Sequence, residues 1–317
     1  MYKVYITYPF PEEWLSSLKG KVRMEFKPKN QYLSGSELGE KLKDKQGAII
    51  LLADKIDKVV INKAKNLKVI SNCAVGYDNI DIDAAKKKGI IVTNTPDILT
   101  NATAELTVTL ILILIRRIIE SNEFLKQGRF MGWEPDLLLG YELKGSIVGI
   151  LGVGRIGSEV AKKLRALGSD IVYYDKIKNN ELENEIGAKK KDLKWILKNA
   201  DIISIHLPLN KETHHLIDDK ELSLMKENAF LINTGRGSII NEASLADALR
   251  LDKIGGAALD VFEYEPGINS HLLRLKNVVI TPHIGSATFH ARKGMTEIAC
   301  KNLLAVLEGK EPLYRIV

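Results

Sequence analysis

Short apolar runs alternate with segments of helical periodicity along most of the chain. Residues 3–8, 47–52, 69–72 and 90–93 are rich in Val, Ile and Ala, the pattern of strands buried on both faces. Residues 36–43 and 80–88 carry helical spacing between them, and Gly89 is placed to end the second helix in a left-handed conformation. Strands joined by crossover helices predict a small parallel sheet. The triplet Thr95-Pro96-Asp97 breaks the pattern, since proline disfavours helix at the preceding residue. A long apolar helix is then expected from Thr100-Asn101-Ala102-Thr103-Ala104-Glu105 onward. Its apolar run, residues 106–115, is interrupted by Thr107 and Thr109 and is too short to cross a bilayer, so it predicts a helix buried on most sides. Residues 128–140, with Trp133 and Pro135, read as irregular. A second set of strands is expected at 146–151, 170–174, 202–207, 229–233, 256–259 and 278–281, and a last helix at 289–307.

The second block opens on Gly152-Val153-Gly154-Arg155-Ile156-Gly157, set between an apolar strand and an amphipathic segment. The next apolar run, 170–174, ends at Asp175. Strand, glycine turn, helix, strand and acid within this span form a dinucleotide-binding pattern. Gly152 permits the tight turn, Gly154 lets backbone N–H groups approach a pyrophosphate, and Gly157 lets helix and strand pack closely. The helix N-terminus adds donors and partial positive charge. Asp175 can accept hydrogen bonds from both ribose hydroxyls and would repel a 2′-phosphate, which favours NAD over NADP. Lys176 and Lys178 stand close enough to soften that preference, so NADP stays open. The first block lacks such a turn and is not the cofactor domain.

Composition narrows the partners. The formal charge of +6 is spread along the chain, with Lys86-Lys87-Lys88 and Lys189-Lys190-Lys191 as short solvated runs. With few interleaved aromatics, this argues against nucleic acid and suits a small anionic substrate. Cys73 and Cys300 lie far apart without metal-ligand spacing, as expected of reduced thiols in a cytoplasmic protein. The N-terminus reads as a first strand rather than a signal peptide.

Three further patterns each follow a predicted strand, where open parallel sheets bind ligands. In Asn233-Thr234-Gly235-Arg236-Gly237, an arginine between glycines can grip a carboxylate with both prongs of its guanidinium. Leu259-Asp260-Val261-Phe262-Glu263-Tyr264-Glu265-Pro266 supplies three acids, one of which could orient a base. Thr281-Pro282-His283-Ile284-Gly285-Ser286 supplies a histidine suited to acid–base work near neutrality. No metal site is expected: His214-His215 read as surface residues at a helix start with no carboxylate at ligand spacing. His206 reads as a hydrogen-bonded edge residue or a cofactor neighbour.

Together with residues 72–81 and 95–105, these motifs resemble the D-isomer-specific 2-hydroxyacid dehydrogenases over essentially the whole chain, most of all the glyoxylate/hydroxypyruvate reductase branch. The resemblance implies an α/β fold of two doubly wound parallel-sheet domains, a Rossmann NAD-binding domain inserted in a flavodoxin-like substrate domain. The boundaries expected are 1–98 and 288–317 for the substrate domain and 99–287 for the NAD-binding domain. It implies Arg236, Glu265 and His283 as the catalytic set, with Val75 and Gly76 amides and Arg236 on the substrate carboxylate. Thr103 matches a position near the cofactor phosphates, and Thr234 and Asp260 match positions near the nicotinamide. Arg155 and Ile156 present backbone amides to the pyrophosphate. A small 2-keto acid would enter between the domains, take hydride at C2 and a proton from His283, and a homodimer is expected. Where branch members often carry a second aromatic after Trp133-x-Pro135, this chain has Leu137. A 3-phosphoglycerate dehydrogenase shares the catalytic set, and an NAD-binding corepressor would keep the same three residues. A formate dehydrogenase would replace Glu265.

Overall fold

The computed structural model describes residues 1–29 and 31–317, and the chain divides into two compact units. The first comprises Met1–Leu99 and Ala287–Val317, the second Thr100–Ser286.

The first unit begins with β1 (Tyr2–Ile6), β2 (Val22–Phe26), α1 (Gly35–Leu42), β3 (Gly47–Ile50), α2 (Lys58–Lys63), β4 (Val69–Asn72), α3 (Ile82–Lys87) and β5 (Ile91–Thr93). All five strands run parallel in the order β2-β1-β3-β4-β5, the flavodoxin-like arrangement. Ser34 and Glu37 close a capping box that starts α1, and Asp57 and Asp81 cap α2 and α3. Leu38, Leu42, Val60, Ile61 and Ala85 of these helices pack on Tyr5, Ala48, Ile50, Ile70 and Val92 of the sheet.

The second unit contains α4 (Thr100–Ile115), α5 (Ile118–Lys126), β6 (Ile147–Leu151), α6 (Arg155–Ala166), β7 (Asp170–Tyr174), α7 (Asn180–Ile186) and β8 (Lys189–Lys190). It continues with α8 (Leu193–Asn199), β9 (Ile202–Ile205), α9 (Asp219–Leu222), β10 (Phe230–Asn233), α10 (Glu242–Arg250), β11 (Gly256–Leu259) and β12 (Val278–Ile280). Its parallel sheet has the order β12-β11-β10-β9-β6-β7-β8. That is a Rossmann sheet extended by one strand, and its order reverses between β6 and β9. One face packs Val148, Ile150 and Ile232 against Leu110, Ile111, Val160 and Leu164 of α4 and α6. The other packs Ile203, Ile205 and Leu231 against Ile196, Leu197, Leu245 and Leu249 of α8 and α10. Burial on both faces is why the strands read as unbroken apolar runs.

The chain then returns to the first unit as α11 (Phe289–Leu307), started by Thr288, whose hydroxyl accepts the Ala291 N–H. It covers the face of the first sheet left bare by α1–α3: Ala299 O accepts the Ser71 hydroxyl at 2.9 Å, and Leu303 fills the space over Gly47. Cys73 and Cys300 are both buried free thiols in this unit, and burial pushes them up to about 11 and about 12.

Two readings need correction. His206 follows β9, which lies in the middle of the sheet and not at its edge. His214 and His215 lie in a turn, not at a helix start, and His215 takes a left-handed backbone with φ of 50°.

Candidate active site

The glycine turn joins β6 to α6 as its residue types require. Gly152 has φ of +94°, and a Cβ there would stand 2.9 Å from the His206 carbonyl. A Cβ on Gly157 would lie 2.0 Å from Gly152 O, so only glycine lets the helix approach the turn this closely. Gly154, the N-cap of α6, differs: a Cβ there meets no protein atom within 4 Å, and the residue offers no side chain to cap the helix. The turn is thus open on the side where its amides can meet an anion.

Asp175 follows β7 and faces that turn. One carboxylate oxygen accepts the Val153 N–H at 2.9 Å and the other the Ile177 N–H at 3.3 Å. With Val153, Gly154, Lys178 and Asn179 it lines a pocket of about 280 Å³. The two lysines that could attract a 2′-phosphate are engaged elsewhere. Lys178 pairs with Glu183 at 3.0 Å, and Lys176 pairs with Glu212. His206 lies partly buried beneath the turn, with Ser204 Oγ 2.8 Å from Nε2, and desolvation pushes its pKa down to about 3. Its backbone and Cβ pack against Gly152 and Gly157 of the turn.

The three acids after β11 have separate tasks. Asp260, 1% exposed, accepts the Thr281 hydroxyl at 2.6 Å, the Ile284 N–H at 2.8 Å and the Gly285 N–H at 2.7 Å. These bonds bracket His283, whose φ of 53° is a left-handed conformation costing roughly 1–2 kcal/mol for a non-glycine residue. Glu265 accepts the Phe262 N–H at 2.9 Å with Oε1 and stands 2.9 Å from His283 Nδ1 with Oε2. Burial pushes its carboxyl upward, but the His283 hydrogen bond and the His283 and Arg236 charges prevail and hold it below the usual range. Glu263 turns to His215 at 2.7 Å.

Arg236 follows β10, where Asn233 accepts the Gly235 N–H and donates to Arg236 O at 2.9 Å. Its Nη1 donates to Gly235 O at 2.8 Å. Gly237 brings this loop against residue 262: a Cβ there would lie 1.9 Å from the Phe262 carbonyl carbon. Arg236, Glu265 and His283 thus come from three consecutive strand ends, as expected at the carboxyl edge of an open parallel sheet.

Thr103 and Thr234 are linked by a residue the motifs did not include. Thr107 donates to Thr103 O at 2.9 Å, and its oxygen lies 2.9 Å from Thr234 Oγ1. A Cβ on Gly285 would lie 3.2 Å from Thr103, so α4 packs against the loop carrying His283. In the first unit, Asn94 donates to Val75 O at 2.8 Å and Asn72 to Gly76 O at 2.7 Å. A trans peptide sets N–H opposite C=O, so these bonds aim the following amides, Gly76 and Tyr77, the other way.

The same arrangement has relatives. Residues 108–285 match the model for the D-isomer specific 2-hydroxyacid dehydrogenase, NAD binding domain. The glyoxylate reductase of Thermococcus litoralis is 46% identical over 98% of this chain and 95% of its own. The chain belongs to the D-isomer specific 2-hydroxyacid dehydrogenase family. It is accordingly an NAD-dependent dehydrogenase. Among solved structures, a Thermus thermophilus protein matches with a TM-score of 0.93 and 40% identity, covering 99% of this chain and 100% of that one. The NADPH-dependent glyoxylate/hydroxypyruvate reductase of Sinorhizobium meliloti, solved with NADP and malonate, matches at 0.89 and 29% identity over 99% and 96%. No helix among the described residues of the dehydrogenase is long and apolar enough to cross a membrane.

Proposed function

We propose that this dehydrogenase reduces a small 2-keto acid, glyoxylate or hydroxypyruvate, to the D-2-hydroxy acid, with His283 as the proton donor. The observation that carries this reading is the Glu265–His283 contact at 2.9 Å, with Glu265 itself held by the Phe262 N–H. A carboxylate at that distance fixes the imidazole by its Nδ1 and leaves Nε2 as the atom from which a proton can reach a developing alkoxide.

The residues fit a dinucleotide: the open side of Gly154 leaves room at the helix N-terminus, and Asp175 lines the adjoining pocket. NADH, when bound, supplies the hydride. Arg236 holds the substrate carboxylate and polarises the keto oxygen, and His283 delivers the proton to that oxygen. Both donors gain most as the oxygen becomes negative. We read the backbone amides around Val75 and Gly76 as carboxylate-binding donors of the first unit. Asp175, with both nearby lysines already paired, favours NADH over NADPH. We also read the first unit as the substrate domain and the protein as a homodimer, through exposed Ile118, Ile119, Leu125, Phe130 and Trp133.

The test is NADH and NADPH oxidation against glyoxylate, hydroxypyruvate, 3-phosphohydroxypyruvate and pyruvate. Fast turnover of either of the first two with NADH is expected. Preference for the phosphorylated acid would overturn the substrate assignment, and tight NADH binding without turnover would overturn the enzymatic one.

A further inference from the structure

His214 and His215 lie in the turn after β9, and Glu263 lies in the loop after β11. The His215 N–H donates to Ser238 O at 2.8 Å, and His215 Nε2 stands 2.7 Å from Glu263 Oε1. The His214 ring stacks on His215, with centroids 4.0 Å apart and planes 28° apart. One ring nitrogen from each histidine and a Glu263 oxygen lie within 4.8 Å of one another, the only such grouping among the described residues. The proposed reaction uses none of the three.

We propose that His214, His215 and Glu263 form a binding site for one divalent transition-metal ion of the zinc class. Two imidazoles and one carboxylate suit zinc and cobalt, whereas magnesium and calcium prefer all-oxygen sets. Ligands of a tetrahedral zinc ion stand roughly 3.4 Å apart, from bond lengths of about 2.0–2.1 Å. His214 is exposed, so rotation of its side chain can close the remaining distance.

Glu263 is already oriented for this role. Its Oε2 accepts the Glu242 N–H at 3.3 Å, and its own N–H donates to the Glu242 carboxyl. Glu242, 4% exposed, also accepts the Asn269 N–H at 3.3 Å, which pins the loop from both sides. Such outer contacts fix a ligand before the ion arrives. A pocket of about 400 Å³, lined by His215, Asn241, Glu242, Glu263, Tyr264 and Asn269 among others, adjoins the site and can hold water in the remaining coordination positions. On binding, the ion takes the place of the His215–Glu263 hydrogen bond, and the neutral imidazole ligates through Nε2 with its one N–H hydrogen on Nδ1.

The test is titration of the full-length, chelator-treated protein with Co²⁺ by visible absorption and with Zn²⁺ against a competing chelator. One equivalent with visible cobalt bands is expected. His214→Ala should weaken binding at least about tenfold, as should Glu263→Gln, while His271→Ala and His290→Ala should not. His214 is exposed, so its replacement reports on the ligand without threatening the fold. Absence of a saturable equivalent in the wild type, or unchanged affinity in His214→Ala, would overturn the proposal.

Discussion

Glu265 Oε2 lies 2.9 Å from His283 Nδ1, while its other oxygen is occupied by the Phe262 N–H. The carboxylate therefore has one orientation, and the imidazole is left with Nε2 as the atom able to meet substrate.

Removing that carboxylate should loosen the imidazole. Glu265→Gln is expected to lower turnover of 2-keto acid reduction across the pH range, since the ring loses its charged partner on Nδ1. The variant has a second signature. Because the folded protein holds Glu265 below its ordinary value, its contribution to stability is present above the unfolded pKa and lost as pH falls through the folded one. Stability of the Gln variant should fall less steeply in acid. Matched pH–rate and pH–melting profiles test both, and unchanged profiles would reduce Glu265 to a spacer.

His283→Ala is expected to lower turnover by roughly two to four orders of magnitude, the usual worth of a positioned acid. NADH affinity, followed by fluorescence titration, should hold. Near-normal turnover would remove His283 from the chemistry.

Asp175→Ala should weaken NADH more than NADPH. The Asp175 carboxylate lines the pocket beside Gly154, and both neighbouring lysines are paired with acids. Dissociation constants for the two cofactors decide the matter, and an equal loss for both would defeat the argument.

Asp260→Ala should both destabilise the protein and slow it. Two backbone N–H groups and a hydroxyl lose a buried acceptor, at about 1–3 kcal/mol for each donor left unsatisfied. The left-handed backbone at His283 would then lose its support. Denaturant midpoints and turnover on one preparation measure the two effects. Turnover that survives a clear loss of stability would mean the loop keeps its shape without Asp260.

The sequence by itself determined the elements whose signals are local. Residues 69–72, 170–174, 256–259 and 289–307 appear as β4, β7, β11 and α11 with those bounds, because buried strands and capped helices carry their periodicity within a few residues. The glycine turn was legible for the same reason: each glycine answers a contact with adjacent backbone or an open helix end. The edge strand β2 was not read, since only Val22 in it is buried and its apolar positions are broken by Arg23 and Glu25. The short β8, hidden in a lysine run, escaped likewise.

Only the tertiary structure decided how side chains from distant segments share the work. Three acids within one octapeptide look alike in sequence. Folding sends Asp260 to the loop around His283, Glu265 to the imidazole and Glu263 to His215, 48 residues away. The pairing of Lys176 with Glu212 likewise joins residues 36 apart. Such contacts depend on strand order and loop direction in three dimensions, and no periodicity along the chain encodes them.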